Sequence, residues 1–487
     1  MRVGLLGMIG AGLALSCAAA WGGADEDLLQ RMTKLEQRNE QLERALRTTV
    51  GAAENKITAV ADKLTKESEK PNDILVSWKN GLKFTSRDKS VTASLGGRLD
   101  YDFSWLNEDS DTRMYVLPMT GKAIGDQKDG AELRRLRLSF DFSVYDAFGK
   151  IEFDVAGSES AIQDTVDEGG TDTIRTKKFK TGTVALKDVY IGVNALPNLK
   201  IQAGHFKEPF SLEELTSARF TTFMERALPN AFVPSRNAGV MVAGTVAKER
   251  MTYAAGFFRN VDDRGYTQDE GDGGAFTARV TGVPYYDEAS KGRRLIHVGG
   301  AASMRNLDST HGYDSRPEMH LSSRYLDTDD IMADDELLLG GELAGVYGPF
   351  SVQSEYMRAS IDRKGGSDVD FWGAYVQLSY FLTGENRVYK KSSGTFDRVI
   401  PRQSYGQTKD GRRGWGAVEV AGRMSWLDLN DRDIKGGELR DCSLGVNWHL
   451  NPNIRVTFNC VHADLDDTAG SEGGKSSLVG LRLHLDF

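Results

Sequence analysis

Past its first two dozen residues the 487-residue chain contains no apolar stretch of 18 or more. No helix in that part can cross a bilayer, which takes roughly 20 such residues. Histidine is sparse: the seven are scattered, and no serine stands in a nucleophile-elbow motif, so an enzyme reading lacks a nucleophile with its base. Dense metal-ligand clusters and phosphate-cradling glycine loops are missing too, and neither metal nor cofactor is expected. Positive charge is not in excess. With 61 Lys and Arg against 70 Asp and Glu the formal charge is -9, which argues against a nucleic-acid partner. Proline is rare at 11 residues beside 53 glycines, a balance that favours many turns and strand glycines over a disordered polar chain. A mean hydropathy of -0.41 would suit a soluble protein. It suits a transmembrane barrel equally, because lipid-facing and lumen-facing residues alternate and average to a polar sequence.

The amino-terminal residues have a definite layout. Arg2 precedes an apolar stretch from Val3 to Ala14, and small residues follow. This is the pattern of a secretory signal over residues 1–24, with maturation near Trp21 or Asp25. A membrane anchor is the alternative, for which the stretch is short. Lipidation at Cys17 would want a large aliphatic residue where Ala14 stands. Residues 25–66 lack proline and place Leu28, Met32, Leu35, Asn39, Leu42, Leu46 and Thr49 at alternating spacings of four and three. That is a heptad seam, predicting a periplasmic coiled coil that self-associates, with Asn39 fixing register. A solvated helix lying on its own domain is the other reading. Residues 67–89, with Pro71, read as a linker.

From about residue 90 to 487 the period becomes two. In ELRRLRLSFDFSV, Leu136, Leu138, Phe140, Phe142 and Val144 share one face and Arg135, Arg137, Ser139, Asp141 and Ser143 the other. A soluble sandwich with one wet face would alternate likewise. The loops separate the two: short turns such as YDAFGK, ALPNL and YGPF alternate with long polar connections around 158–183 and 306–335. Tight periplasmic turns and long outside loops mark an outer-membrane barrel. The expectation is an all-β, sixteen-stranded antiparallel transmembrane barrel over residues 90–487. One connection, 382–413, is long where parity asks for a turn; either a strand is miscounted there or a periplasmic segment folds over the opening. The last strand, SSLVGLRLHLDF, alternates cleanly to Phe487, putting Val479, Leu481, Leu483, Leu485 and Phe487 toward lipid. Cys442 and Cys460 fall on lipid-facing sides, two residues out of direct register, and a disulfide and two free buried thiols both remain open.

Between two of these strands lies GHFKEPFSLEELTSARFTTFMERALPNAFVPSRNAGV, Gly204 to Val240, neither strand nor solvated loop. A sixteen-stranded barrel leaves an aqueous channel, and a long loop folded inward narrows it. The aromatic residues pack the loop, and its charges meet the water. An external loop capping the barrel is the alternative.

That stretch, with GGRLDYDF at 96–103, LKDVYIGV at 186–193, SYFLTGENR at 379–387 and GWGAVEVAGRMSWLDLND at 414–431, resembles the phosphate-selective porins O and P. The resemblance implies a homotrimer of barrels in the lipid bilayer of a Gram-negative outer membrane. It also implies passage of small anionic solutes such as phosphate, through a pore lined by an arginine ladder and a lysine cluster. By strand parity the ladder's counterparts are Arg98, Arg135, Arg137, Arg279, Arg305, Arg423, Arg455 and Arg482; in the constriction loop stand Lys207, Arg219, Arg226 and Arg236. Forked, permanently charged guanidinium groups suit oxyanions. Acids face inward as well: Asp100, Asp102, Asp141, Glu152, Asp154, Glu342, Glu355 and Glu419 on the wall, Glu208, Glu213, Glu214 and Glu225 in the loop. They pair with the cations, orient them or cancel them, and the lysine cluster has no residue-by-residue match. A general porin without strong anion selectivity is therefore an alternative. So is an envelope tether gripping peptidoglycan through the coiled coil.

Overall fold

The alternating pattern becomes wall. In the computed structural model, which describes residues 26–68, 74–78, 81–156, 158–167, 172–181, 184–262, 265, 273–407, 413–466 and 472–487, sixteen antiparallel strands close into a barrel. The first eight are β1 (Val91–Glu108), β2 (Gly130–Val144), β3 (Ala147–Asp154), β4 (Ala185–Leu196), β5 (Leu199–Lys207), β6 (Arg236–Val246), β7 (Met251–Arg259) and β8 (Gly274–Tyr286). The second eight are β9 (Arg294–His311), β10 (Ile331–Tyr347), β11 (Phe350–Arg363), β12 (Val369–Phe381), β13 (Ala417–Asp431), β14 (Ile434–His449), β15 (Ile454–Leu465) and β16 (Gly474–Asp486). Each pairs with its neighbours in sequence, and β16 pairs with β1, Arg482 opposite Asp102, to close the cylinder. The expected signal segment 1–24 lies outside the described residues.

The faces follow the two-residue period. On β14 Leu444 and Val446 are exposed on the outer wall while Ser443 and Asn447 are buried inside, as a pleat with lipid on one side requires. Turns at the periplasmic end are tight. Between β10 and β11 only Gly348 and Pro349 intervene, and Gly348 takes φ 58, which a residue without Cβ adopts freely. Phe487 caps the closing strand, its backbone exchanging hydrogen bonds with Gly97 at 2.8 and 3.0 Å. A Cβ on Gly97 would come within 2.7 Å of the Phe487 ring, so glycine leaves the room that ring occupies. Cys442 and Cys460 are free thiols on the outer wall, the first exposed. They stand opposite His462 and Leu444 rather than each other.

Two expectations change and one open alternative closes. Residues 67–89 are not all linker: Ile74–Trp78 and Leu82–Ser86 form a hairpin whose second strand pairs with the base of β1, and Trp78 stacks on Phe487 at 6.2 Å. Long outside loops do not recur at every turn, since only residues 364–368 link β11 to β12 and 432–433 link β13 to β14. The anomaly at 382–413 is no miscounted wall strand. β12 pairs directly with β13, and among the described residues of the intervening segment 382–416 two small hairpins form, Val388–Lys390 with Thr395–Asp397 and Gly406–Gln407 with Arg413–Gly414.

As a separate unit, residues Glu26–Ser68 form one α-helix, α1, of 43 residues, about 65 Å long at 1.5 Å per residue. Leu35, Leu42 and Leu46 of the predicted seam are exposed on it.

Candidate functional site

The loop 208–235 enters the barrel and is fastened to the wall at successive points. Glu208 takes Arg305 at 3.0 Å and Asn237 at 2.6 Å. The Phe210 ring lies over Gly340, where any Cβ would sit 3.0 Å from it. Glu355 accepts the backbone N–H groups of Leu212 and Glu213 at 2.9 and 2.8 Å and the Tyr375 hydroxyl at 2.6 Å. Farther along, Thr221 and Thr222 offer carbonyls to Arg455 (2.8 Å) and Asn447 (2.7 Å), and the Met224 N–H donates to Asn459 at 2.8 Å. Phe210 and Phe232 end in one buried apolar cluster with Tyr313, Phe371 and Leu427. A loop anchored this way constricts the lumen; the capping alternative does not hold.

A second loop and the periplasmic segment join it. Residues 312–330 bring Glu318 to Arg423, Ser425 and Ser443. From the periplasmic end, segment 382–416 sends Tyr389 to His297 at 2.7 Å, the Gly394 carbonyl to Arg279 at 2.9 Å and Arg387 to Gln353 at 2.8 Å. The Phe396 N–H reaches Thr216 of the long loop. These segments thereby crowd the lumen next to β8–β16.

Space remains beside β2–β7. One cavity of about 300 Å³ is lined by Arg134, Arg135, Arg226, Arg316 and His320, with Glu225, Asp314 and Glu318 as its acids. A second, of about 470 Å³, has Lys200, Lys207, Arg279 and Lys390 against Glu249 alone. Lys207 belongs to one and Arg226 to the other, and both grip Glu214, at 2.8 and 3.0 Å. The carboxylate is only 3% exposed while Lys207 and Arg226 are 16% and 20% exposed, so the acid faces the packing and the cations face the water. Burial pushes the Glu214 carboxyl up, but Arg226 and Lys207 outweigh it and hold the group at about 2. Glu225 is likewise held well below the carboxylate range, its burial offset by Arg134, Arg135 and Arg482. At Glu213 burial prevails over Arg423, and the pKa is raised.

All eight arginines assigned to the lumen point inward, but they do not form a ladder of free charges. Arg135 pairs with Asp100 (3.3 Å), Arg137 with Asp154 (2.7 Å), Arg279 with Glu342 (2.8 Å), Arg305 with Glu208 (3.0 Å) and Arg482 with Asp102 (2.6 Å). Arg423 lies between Glu213 and Glu318. Arg98 and Arg455 are buried and form no ion pair among the described residues. Of the loop cations, Lys207 and Arg226 meet at Glu214, and Arg236 reaches Asp188 at 2.7 Å. Arg219 stands elsewhere, in a cavity with Arg387 and Arg455.

Strict alternation misses Arg134. A bulge sets Asp100 opposite Arg135 but Tyr101 opposite Leu133, and the extra residue turns inward, where Arg134 forks onto Glu225 at 3.0 and 3.1 Å. Lys150, 3.2 Å from Glu152 and 3.4 Å from Asp188, shares the parity of Glu152 and was legible from it. Arg387, Lys390 and Arg398 carry no periodic signal.

The family description "Phosphate-selective porin O and P" matches residues 117–487. The chain belongs to this family. It is accordingly an outer-membrane porin of the Gram-negative type, in a family of channels rather than enzymes. Porin O of Pseudomonas aeruginosa is 26% identical over 445 residues, 82% of this chain and 89% of that protein. An uncharacterised Caulobacter vibrioides protein is 27% identical over 486 residues, 94% and 88% of the two chains. Among solved structures, OmpT of Vibrio cholerae aligns at TM-score 0.45 and 12% identity over 81% of this chain and 98% of that one. The anion-selective porin of Comamonas acidovorans aligns at 0.42 and 12% over 82% and 100%.

Proposed function

We propose that this porin passes small anions, phosphate among them, by passive diffusion along the β2–β7 side of its lumen, and that it does so as a homotrimer. The observation that carries the reading is the junction at Glu214, a buried acid that holds one lining cation from each of two cation-lined cavities. In a narrow passage such local charge sets selectivity. Unit charges about 4 Å apart interact by roughly 4 kcal/mol at an effective dielectric of 20, whereas distant surface acids are screened within about 8 Å at physiological salt. The chain's net negative charge therefore does not decide which ions enter. The description of the family, phosphate-selective, is consistent with this reading.

The pairing of most wall arginines with acids favours a second reading, a general porin of weak selectivity. The zero-current potential of the purified protein in planar bilayers under a salt gradient separates them. An anion-selective potential supports the proposal, and a cation-selective or unselective one leaves the general porin. Absence of open-channel steps would favour the tether.

A further inference from the structure

The barrel is one unit of the chain and α1 belongs to the other. On α1 the apolar side chains of Leu35, Leu42, Leu46, Val50 and Ile57 are all exposed. They recur at steps of seven, four, four and seven residues, which keeps them on one narrow stripe of the helix. A helix that lies on its own domain carries a wider apolar face. A strict heptad would bring Thr49 to the stripe and turn Val50 away. The two steps of four around Leu46 are instead a stutter, which locally unwinds a supercoil and lets the seam continue. The threonines agree with it: Thr48 and Thr49 donate their hydroxyls to the carbonyls of Arg44 and Ala45, at 2.8 and 2.7 Å, and are satisfied within their own helix. The seam therefore outlasts the plain heptads and reaches Ile57.

The charges beside the seam identify its occupant. With Leu35 and Leu42 at d positions, Arg31 and Arg38 take g positions and Glu36 and Glu43 take e positions. Across a parallel pair each g residue meets the e residue five places on, so Arg31 faces Glu36 of the partner subunit and Arg38 faces Glu43 of the partner subunit. Across an antiparallel pair arginine would meet arginine and glutamate would meet glutamate. Residues five apart do not face each other on one helix, so these matches exist only between chains. Arg38 has Lys34 and Leu35 before it and Gln41 and Leu42 after it at the neighbouring helical positions, none of them an acid. We propose that α1 is an interface between copies of this chain, a parallel coiled coil whose seam runs through the stutter to Ile57. That three copies take part rests on the homotrimer reading; the seam and its direction do not.

The test uses the full-length protein in detergent, with Cys17→Ser, Cys442→Ser and Cys460→Ser as background and one cysteine added to α1. Under mild oxidation Leu35→Cys and Ile57→Cys should each link chain to chain, at least about tenfold faster than Gln37→Cys on the far side. Val50→Cys should outpace Thr49→Cys. One disulfide joins two chains, so a homotrimer leaves one chain of each trio unlinked at completion; complete linking would overturn the homotrimer and leave the parallel seam. Backbone hydrogen exchange in residues 35–57 supplies a sign. Within a solitary helix Arg38→Glu relieves repulsion from Lys34 and would slow exchange. Across the parallel seam it sets a carboxylate against Glu43 of the partner subunit and should speed exchange about two- to fivefold, with Glu43→Arg restoring protection. Exchange in β10 and β11 shows whether each variant is folded. Leu35→Cys linking no faster than Gln37→Cys, linking only when Leu35→Cys and Ile57→Cys chains are mixed, or slower or unchanged exchange in Arg38→Glu overturns the parallel interface. Thr49→Cys linking faster than Val50→Cys overturns the stutter.

Discussion

On the β8–β16 side of the barrel the inward ion pairs are shut in; on the β2–β7 side many pairs keep one partner at the water, although Arg135, Glu152, Asp154 and Glu214 are themselves 3–7% exposed. Arg423, Glu318, Arg279, Glu342 and Arg482 are each about 1–4% exposed, whereas Lys150, Asp188, Lys207, Arg226, Arg134 and Glu225 are between 16% and 20%. Both sets come from strands or loops of similar composition. What differs is the closeness of the cover: two loops and the periplasmic segment press tightly on one half, while on the other they line open cavities. An inward arginine is thus not a pore residue by virtue of facing inward. On the covered side it is a fastener, and breaking a buried pair leaves an uncompensated charge. On the open side water solvates whatever partner is left, and the charge remains available to ions.

The contrast yields ordered expectations. The largest effect falls on the covered side: Arg423→Ala strands Glu213 and Glu318 and should cost about 3–5 kcal/mol of stability, whereas Arg236→Ala should cost well under half of that; denaturant unfolding of the folded porin compares them, and equal losses would erase the distinction.

Next comes acid. Glu214 sits at about 2 in the folded chain against an ordinary 4.5. Its contribution is thus complete above pH 4.5 and disappears as pH falls toward 2, a loss of up to about 3 kcal/mol. Glu214→Gln should flatten that part of the stability profile, and an unaltered slope between pH 5 and 2 would mean that the junction of Lys207 and Arg226 is not held by this carboxylate.

Third, Arg226→Glu should move the zero-current potential toward cation preference while the barrel stays folded; a potential identical to that of the native chain would take Arg226 off the ion path. The smallest effect is expected outside the barrel: removing residues 25–66 should leave single-channel conductance nearly unchanged, and any loss of conduction would make α1 part of the pore.

Much of the wall could be read without coordinates, because a membrane strand repeats its rule at every second residue. The pattern from Leu136 to Val144 and the clean run into Phe487 define strands by themselves. Even the connection 382–413 announced itself, as a broken parity. What the period does not carry is any partner distant in sequence. Nothing beside Glu355 says that it caps the N–H groups of Leu212 and Glu213, 143 and 142 residues away. Arg134 was hidden for a local reason, a one-residue bulge that shifts phase. The hairpin at 74–86 was hidden by brevity, its five-residue strands being too short to display a period.

The pair Arg482–Asp102 joins residues 380 positions apart, and the same guanidinium holds Glu225 at 2.7 Å. Loop-closure entropy makes such a contact slow to form, although its cost grows only logarithmically with separation. The last strand therefore does two jobs at one moment: it seals the cylinder and seats the tip of the constricting loop. A chain stalled before β16 has fifteen strands, an open edge and a loop still lacking one clamp. The narrow passage is thus completed as the barrel is completed, so that an unfinished molecule does not present a finished filter.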